Sequence, residues 1–191
     1  IAVVGDVGVD YYKNLDLVKP GGIAFNFAYG LISSGQKSVS LVSAIGNDRY
    51  SKELLVLIKK LKIKIDHMQK LVGNTPKQDI ILLNGERKFI GYDPGILKKW
   101  KLKDEDLKFL KRQNAIFVPL SDGMENIFKE IVSIKDGPIK ATDFSQDYEF
   151  ADFDKKVNII TKYSKFFDII FIGGSQKHKK MIKALASKYP E

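Results

Sequence analysis

Short apolar runs alternate along this sequence with longer segments that have the periodicity of amphipathic helices. Runs of strand length occur at residues 1–4, 39–44, 115–120 and 139–143, and helical segments lie between most of them. Such alternation is typical of an α/β fold, in which helices flank a mostly parallel sheet. A length of 191 residues is enough for one such domain with a small addition.

The alternation is interrupted in the middle of the chain. Residues 63–68, 77–83 and 87–92 all resemble strands, and no helical segment separates them. Asn84-Gly85, between the last two, is a strong signal for a two-residue hairpin turn. The sequence therefore predicts a small antiparallel sheet that stands apart from the main domain. Because small sheets with open edges are rarely stable alone, it also predicts a homodimer formed through this sheet.

Charge and composition exclude several classes of protein. The formal net charge is +9, but only three of the 32 basic residues are arginines, which nucleic-acid sites favour for bidentate contacts, so we expect no nucleic-acid partner. The absence of cysteine excludes a disulfide framework and cysteine catalysis, and it favours a reducing compartment such as the cytoplasm. No apolar run approaches the roughly 20 residues of a membrane helix, so we expect no membrane partner. His67 and His178 are isolated and predict no metal site.

Polar residues follow the predicted strands. Ligands of open α/β sheets bind outside the carboxyl ends of the strands, so these residues are the candidate site. Carboxylates, amides and hydroxyls predominate among them, which suits hydrogen bonding to a polyhydroxy ligand. The segments are Gly5-Asp6 with Asp10, Gly46-Asn47-Asp48, Ser121-Asp122, Asp143-Phe144-Ser145 and Gly173-Gly174-Ser175.

Gly21-Gly22 with Asn26 forms the most specific of the candidates. Two glycines at the start of a helix let a ligand approach the backbone, where free N–H groups can donate hydrogen bonds. Asn26 lies about one helical turn further on and offers both a donor and an acceptor. A plain turn before an amphipathic helix is the alternative interpretation of these residues taken alone.

Three motifs occur in order in the first part of the chain: GDVGVD at residues 5–10, GGIAFNFA at 21–28 and AIGND at 44–48. Together they resemble the N-terminal signature of the ribokinase (phosphofructokinase-B) family of carbohydrate kinases. The resemblance implies a ribokinase-like α/β domain, incomplete at its C-terminal end, with strands of a lid inserted at about residues 8–19 and 63–93. It implies ATP-dependent phosphorylation of a sugar hydroxyl with Mg²⁺, and it leaves a requirement for a monovalent cation open.

A second set of residues resembles the members of that family that act on fructosamines such as fructoselysine. The set includes residues 9–12, Arg87 with Phe89 and Tyr92, and residues 142–145. This resemblance implies a ketose or a fructosamine as the sugar. Arg87 could bind a carboxylate on an amino-acid-bearing sugar, but the sequence favours a surface charge on the predicted hairpin.

The resemblance also implies roles for individual residues. Those expected to contact the sugar are Asp10, Gly21, Gly22, Asn26, Gln78, Tyr92 and Asp122. Gly173, Ser175 and Gln176 are expected to contact the nucleotide. Many family members carry an asparagine and a glutamate where this chain has Gly173 and Gln176, so no metal ligand is expected there.

The family's catalytic base has no counterpart in the sequence. The glycine-rich turn that ends in the catalytic aspartate of the family is absent before Glu191. The resemblance therefore places the base beyond Glu191, and we expect this chain alone to be inactive, because phosphoryl transfer depends on charge stabilisation at that turn. Two alternatives stay open: a non-catalytic sugar-binding module or decayed kinase, and a nucleoside kinase.

Overall fold

The structure, a computed structural model, describes residues 1–135, 137–144 and 153–173, together with positions 179, 183, 186 and 187. The strands of this part of the chain are β1 (Ala2–Val4), β2 (Gly8–Tyr12), β3 (Leu17–Gly21), β4 (Ser40–Ile45), β5 (Lys64–Lys70), β6 (Lys77–Leu83), β7 (Glu86–Asp93), β8 (Ala115–Pro119), β9 (Ile139–Asp143) and β10 (Ile169–Phe171). Its α-helices are α1 (Ile23–Ser33), α2 (Arg49–Lys60), α3 (Asp104–Leu110), α4 (Glu125–Val132) and α5 (Phe153–Tyr163).

Six parallel strands form the main sheet, in the order β10-β9-β8-β1-β4-β5. The side chains of β1 alternate between two hydrophobic clusters: Ala2 and Val4 belong to one, and Val3 belongs to the other. All three are fully buried. Complete burial of a valine side chain stabilises a fold by about 1.5–3 kcal/mol, so strands covered on both faces are continuous apolar runs. The predicted α/β class with a mostly parallel sheet is confirmed.

Asp48 fixes the start of α2. Its Oδ1 accepts a hydrogen bond from Ser51 N at 3.0 Å, which satisfies one of the free N–H groups of the first helical turn. Its Oδ2 accepts from Thr75 N at 2.7 Å and so ties the helix to the segment before β6. Lys59 and Lys60 lie in the last turn, where positive charge is favourable.

A second sheet, which we call the lid sheet, has the order β3-β2-β6-β7. The turn Asn84-Gly85 joins β6 and β7 into the predicted hairpin, with Leu83 paired to Glu86. The sheet is mixed, because β2 pairs in parallel with β6. Both strands follow the carboxyl ends of main-sheet strands, β1 and β5, and therefore run in the same direction.

The strand expected at 63–68 lies in the main sheet, not in the lid. It is β5, and it pairs in parallel with β4 as the edge strand of the main sheet. An edge strand is half exposed and alternates in polarity like a strand of a two-faced antiparallel sheet, so the pattern alone could not place it. The other two strands of the lid, β2 and β3, come from residues 8–21, close to the segment expected at about residues 8–19.

Helix α3 is held in place by a buried carboxylate. Asp106 accepts hydrogen bonds from the N–H of Lys103 at 2.9 Å and from Gln69 Nε2 at 3.2 Å, and its Oδ1 lies 2.7 Å from His67 Nδ1. The His67 ring stacks on Phe109 with 4.0 Å between ring centroids. His67 therefore has a structural position, as the sequence suggested.

We expect Asp106→Ala to lower the free energy of unfolding by about 2–4 kcal/mol, since it leaves several partly buried donors without an acceptor. Asp104→Ala is the matched control, because Asp104 is exposed in the first turn of the same helix and should cost less than about 1 kcal/mol. Urea denaturation of both variants measures the difference. Equal losses would contradict the assigned role of Asp106.

None of the helices in the described ranges is long and apolar enough to cross a membrane.

Candidate functional site

A cavity of about 690 Å³ lies between the lid sheet and the carboxyl end of the main sheet. Both sheets and the start of α1 contribute to its walls, as expected for a ligand site in an open α/β fold. The lining residues are Asp6, Gly8, Val9, Asp10, Gly22, Ile23, Asn26, Pro76, Gln78, Arg87, Lys88, Phe89, Tyr92 and Asp143.

Asp6 occupies the N-terminus of α1. Its carboxylate accepts hydrogen bonds from the N–H groups of Ile23 at 3.0 Å and Ala24 at 3.3 Å, and its backbone carbonyl accepts from Phe25 N at 3.3 Å. The expectation that free N–H groups there would bind the ligand is therefore wrong for these three. A short acidic side chain just after β1 satisfies them instead, as acidic side chains often do at helix N-termini.

Gly21 and Gly22, the two glycines before α1, have different structural roles. Gly22 has a φ of 102°, and a Cβ on it would lie 2.5 Å from the Asp6 carbonyl oxygen, so only glycine fits. Gly21 is the last residue of β3, and a Cβ there would overlap Oδ1 of Asp10. Gly21 therefore does not line the cavity itself but makes room for the Asp10 carboxylate.

Three of the predicted sugar contacts form one row across the lid sheet. Asp10 on β2 pairs with Gln78 on β6, and Gln78 pairs with Tyr92 on β7. Residues paired across neighbouring strands project to the same face, and all three line the cavity. Gln78 Nε2 donates to the carbonyl of Gly91 at 2.6 Å, which fixes the orientation of its side chain.

Asn26 completes the predicted set from the other side. It lies in the first turn of α1, is exposed, and lines the cavity. The cavity therefore brings together Asp10, Gly22, Asn26, Gln78 and Tyr92, which lie far apart in the sequence.

Other predicted residues lie elsewhere. Asp122 and Gly173 are outside the set that lines the cavity, and Ser175 and Gln176 fall outside the described residues. In the Gly46-Asn47-Asp48 segment, Asn47 Oδ1 accepts from Gly73 N at 3.0 Å, which together with the contacts of Asp48 gives the segment a structural role.

Nine lining residues were not among the expected contacts. They include Arg87, Lys88, Phe89 and Asp143. The place of Asp143 in the lining could have been predicted, because it lies at the carboxyl end of β9, where the sequence already indicated a polar segment. Arg87 is exposed on the hairpin, as the sequence favoured, and it also lines the cavity.

Burial raises the pKa of the Asp10 carboxyl to about 6, against a smaller lowering by the charge of Arg87. Burial also raises the pKa of Asp6, although the N–H groups of Ile23 and Ala24 oppose the shift. The ionised carboxylate is the form that accepts hydrogen bonds from hydroxyl groups on both oxygens. We therefore expect the KM for a polyhydroxy substrate to rise as the pH falls through about 6.

Kinetics of the full-length protein between pH 5 and pH 8 would test this expectation. A KM for the polyhydroxy substrate that stays constant down to pH 5 would contradict it.

The chain is similar in sequence and in fold to proteins of a known family. The model of the pfkB family of carbohydrate kinases matches residues 16–126, more than half of the chain. Fructoselysine 6-kinase of Escherichia coli is 25% identical over 149 residues, which cover 78% of this chain and 56% of the relative. Fructosamine kinase FrlD of Bacillus subtilis is 25% identical over 138 residues, which cover 70% of this chain and 48% of the relative. The chain thus spans about half the length of these two relatives.

Among solved structures, a fructokinase of Xylella fastidiosa with bound ATP superimposes with a TM-score of 0.73 at 18% identity, covering 97% of this chain and 61% of that one. At this level of identity the likeness concerns the fold, which agrees with the family match. With more than half of its residues matched, the chain belongs to the pfkB family of carbohydrate kinases.

Proposed function

We propose that the full-length protein transfers the γ-phosphoryl group of ATP to a hydroxyl group of a sugar, either a ketose or a fructosamine such as fructoselysine. The observation that carries the proposal is the cavity that groups Asp10, Asn26, Gln78 and Tyr92 beneath the lid sheet. Membership of the pfkB family supports the reaction, and the names of the two relatives support the sugar.

The side chains suit a polyhydroxy ligand. Asp10 accepts hydrogen bonds from hydroxyl groups, and Asn26 both donates and accepts. Tyr92 offers an aromatic ring that can pack on the apolar face of a sugar. A lid over the sugar would exclude water, which otherwise competes with the sugar for the phosphoryl group.

ATP and Mg²⁺ are the proposed cofactors. The described residues contain no group of three or more His, Cys, Asp or Glu side chains that could hold a metal ion, so we assign no ligand of Mg²⁺ within them. Gly173 remains a proposed nucleotide contact, as do Ser175 and Gln176. Asp122 likewise remains only a proposed contact of the sugar.

The test is ADP formation by the full-length protein with ATP and a panel of fructoselysine, fructose, ribose and adenosine. Turnover of fructoselysine or fructose supports the proposal. Turnover of adenosine alone would establish a nucleoside kinase instead, and sugar binding without turnover would favour a non-catalytic module.

Asn26→Ala tests the site itself. It should raise the KM for the sugar at least about tenfold, since a lost hydrogen bond to a ligand costs about 0.5–1.5 kcal/mol and the desolvated partner adds to this. Asn158→Ala is the matched control, because Asn158 is exposed on α5, away from the cavity. Unchanged sugar kinetics in Asn26→Ala would remove this residue from the site.

We also propose that the lid sheet forms a homodimer contact. Its supporting observations are the outer strands β3 and β7 and the exposed side chains of Leu15, Leu17 and Leu83. Exposed apolar residues along an open sheet edge favour pairing. Analytical ultracentrifugation of the full-length protein should show a dimer that Leu17→Lys shifts toward monomer, and a wild-type monomer at every concentration would refute the proposal.

A further inference from the structure

Strand β7 has one extra residue opposite its partner strand β6. Gly91 pairs with Asp79 on β6, whereas the next pair along the hairpin joins Phe89 to Ile80, so Ile90 has no partner of its own. This is a β-bulge, a feature that redirects the side chains on one side of it.

The bulge sets which side chains of β7 face the cavity. In a regular strand Tyr92 and Phe89, three positions apart, would project to opposite faces. With Ile90 as the extra residue, the partners of Tyr92, Phe89 and Arg87 are Gln78, Ile80 and Leu82, which alternate along β6 and share a face. All three residues of β7 line the cavity accordingly.

These residues extend the cavity away from the proposed sugar contacts. Tyr92 lies at the end of β7 next to the main domain, and Arg87 lies near the hairpin turn. At about 3.3 Å per residue, with one residue taken up by the bulge, the two are about 13 Å apart along the strand. This backbone distance exceeds the length of one hexose ring, so the cavity has room for a substituent on a sugar that is held at Tyr92.

The chemistry of this extension changes along its length. Phe89 follows Tyr92 on the cavity face and is 55% exposed, which is unusual for a ring of this size. The guanidinium of Arg87 lies over the Phe89 ring at 5.8 Å from its centroid. Across the described ranges, no carboxylate lies within ion-pair distance of Arg87.

Arg87 is also held in register. Asn14 Nδ2 donates to the carbonyl of Leu82 at 2.8 Å, and Asn14 Oδ1 accepts from the N–H of Leu82 at 3.1 Å. Leu82 is the strand partner of Arg87, so these two hydrogen bonds from Asn14 fix the outer end of the hairpin. An arginine on a fixed strand, with its guanidinium against a ring, presents its N–H groups in a geometry suited to an anion.

We propose that Phe89 and Arg87 form a specificity subsite for a sugar that carries an anionic group at the end of an apolar spacer. Phe89 packs against the spacer and Arg87 binds the anion. The inference rests on the proposed sugar-kinase function and deepens it, because it names the residues that would select a charged, substituted sugar over a free one.

Four substrates separate the two parts of the subsite. Fructoselysine has the spacer and the carboxylate, 1-deoxy-1-(pentylamino)fructose has the spacer without a charged end, fructose 1-phosphate has an anion without a spacer, and fructose has neither. Both kcat and KM are measured with the full-length protein, and binding is measured by calorimetry in parallel. We expect fructoselysine to have the lowest KM of the four.

Arg87→Gln should raise the KM for fructoselysine about 10- to 100-fold, the range for a lost charge-assisted hydrogen bond, while the effect on fructose is at least about tenfold smaller. It should also move the acid limb of the sugar KM profile to higher pH, because the charge of Arg87 lowers the pKa of Asp10. Arg112→Gln, on an exposed arginine outside the cavity, should leave every parameter unchanged.

The outcomes are distinct. Equal loss for fructoselysine and fructose in Arg87→Gln, or equal affinity of the wild type for fructoselysine and the pentylamino analogue, would overturn the subsite while leaving the kinase function intact. Preference for fructose 1-phosphate over fructoselysine would also overturn it, in favour of a sugar phosphate site. If no sugar is turned over, the kinase function fails, and the calorimetric comparison of the same four ligands still decides the subsite.

Discussion

Replacing Asp10 by asparagine in the full-length protein is expected to lower kcat/KM for the sugar about 100-fold at pH 8. In the proposed site the carboxylate accepts hydrogen bonds from sugar hydroxyls, and each hydrogen bond to a charged group is worth about 1.5–3 kcal/mol. Asparagine keeps the shape but removes the charge and one of the two acceptor oxygens. Steady-state kinetics of the variant measure the effect.

The same substitution should raise the thermal stability at neutral pH. Burial raises the pKa of Asp10 to about 6, above its value of 3.8 in an unfolded chain, so ionisation destabilises the folded state. That destabilisation is absent below pH 3.8, grows between the two values, and is complete above about 6. The Tm of Asp10→Asn should therefore exceed that of the wild type at pH 8 and approach it near pH 4.

Asp16→Asn is the control for both measurements, because Asp16 lies in the turn between β2 and β3, outside the cavity. It should change neither the sugar kinetics nor the pH dependence of the Tm appreciably. Wild-type kcat/KM in Asp10→Asn, or a lower Tm at pH 8, would show that Asp10 is a structural residue and not a ligand of the sugar.

Gly22→Ala is expected to destabilise the fold by about 3 kcal/mol or more. The positive φ of 102° is strained for any residue with a Cβ, and that Cβ would lie 2.5 Å from the Asp6 carbonyl oxygen. The clash is with backbone, so relief requires moving the start of α1 away from β1. Urea denaturation of the variant measures the loss.

Gly30→Ala is the matched control on the same helix. A Cβ at Gly30 meets nothing within 4 Å, so this substitution should stabilise the protein by about 0.5–1 kcal/mol through helix propensity. A Gly22→Ala variant as stable as the wild type would mean that the start of α1 tolerates a shift. It would contradict the conclusion that only glycine fits at position 22.

Gly21→Ala should separate stability from ligand binding. Its Cβ would overlap Oδ1 of Asp10, the end of a side chain that can rotate away, and its φ is not in the left-handed region. The variant should therefore fold with little loss but bind sugar poorly, because the carboxylate is displaced. Thermal melting and sugar KM together test this, and a large loss of Tm with normal KM would contradict it.

The sequence predicted the elements whose signals are local. The Asp48 cap, the Asn84-Gly85 turn and the apolar strands of the main sheet depend on residues within a few positions of each other. The positions of Asp10 and Asn26 in the cavity lining were also predictable, since the ends of strands and the start of a helix locate them.

What could not be predicted depends on pairing between distant segments. Strand β5 has the polarity of a lid strand but pairs with β4, and nothing in its own residues decides between the two sheets. Asp6 accepts hydrogen bonds from the first N–H groups of α1 because β1 and α1 come together in the fold. The cavity-facing position of Arg87 depends on which residue of β7 bulges, and this is fixed by its partner strand.

The parallel pairing of β2 with β6 makes the lid sheet a discontinuous unit. Residues 8–21 and 77–93 supply its strands, and α1, the first crossovers and part of the main sheet separate them in the chain. Substrate preference could be transferred between family members by exchanging lid segments. If only one of the two segments is exchanged, its strands must pair with strands from the other protein, and the hydrogen-bonded sheet is mismatched. Chimeras that exchange both segments together keep the row of Asp10, Gln78 and Tyr92 in register.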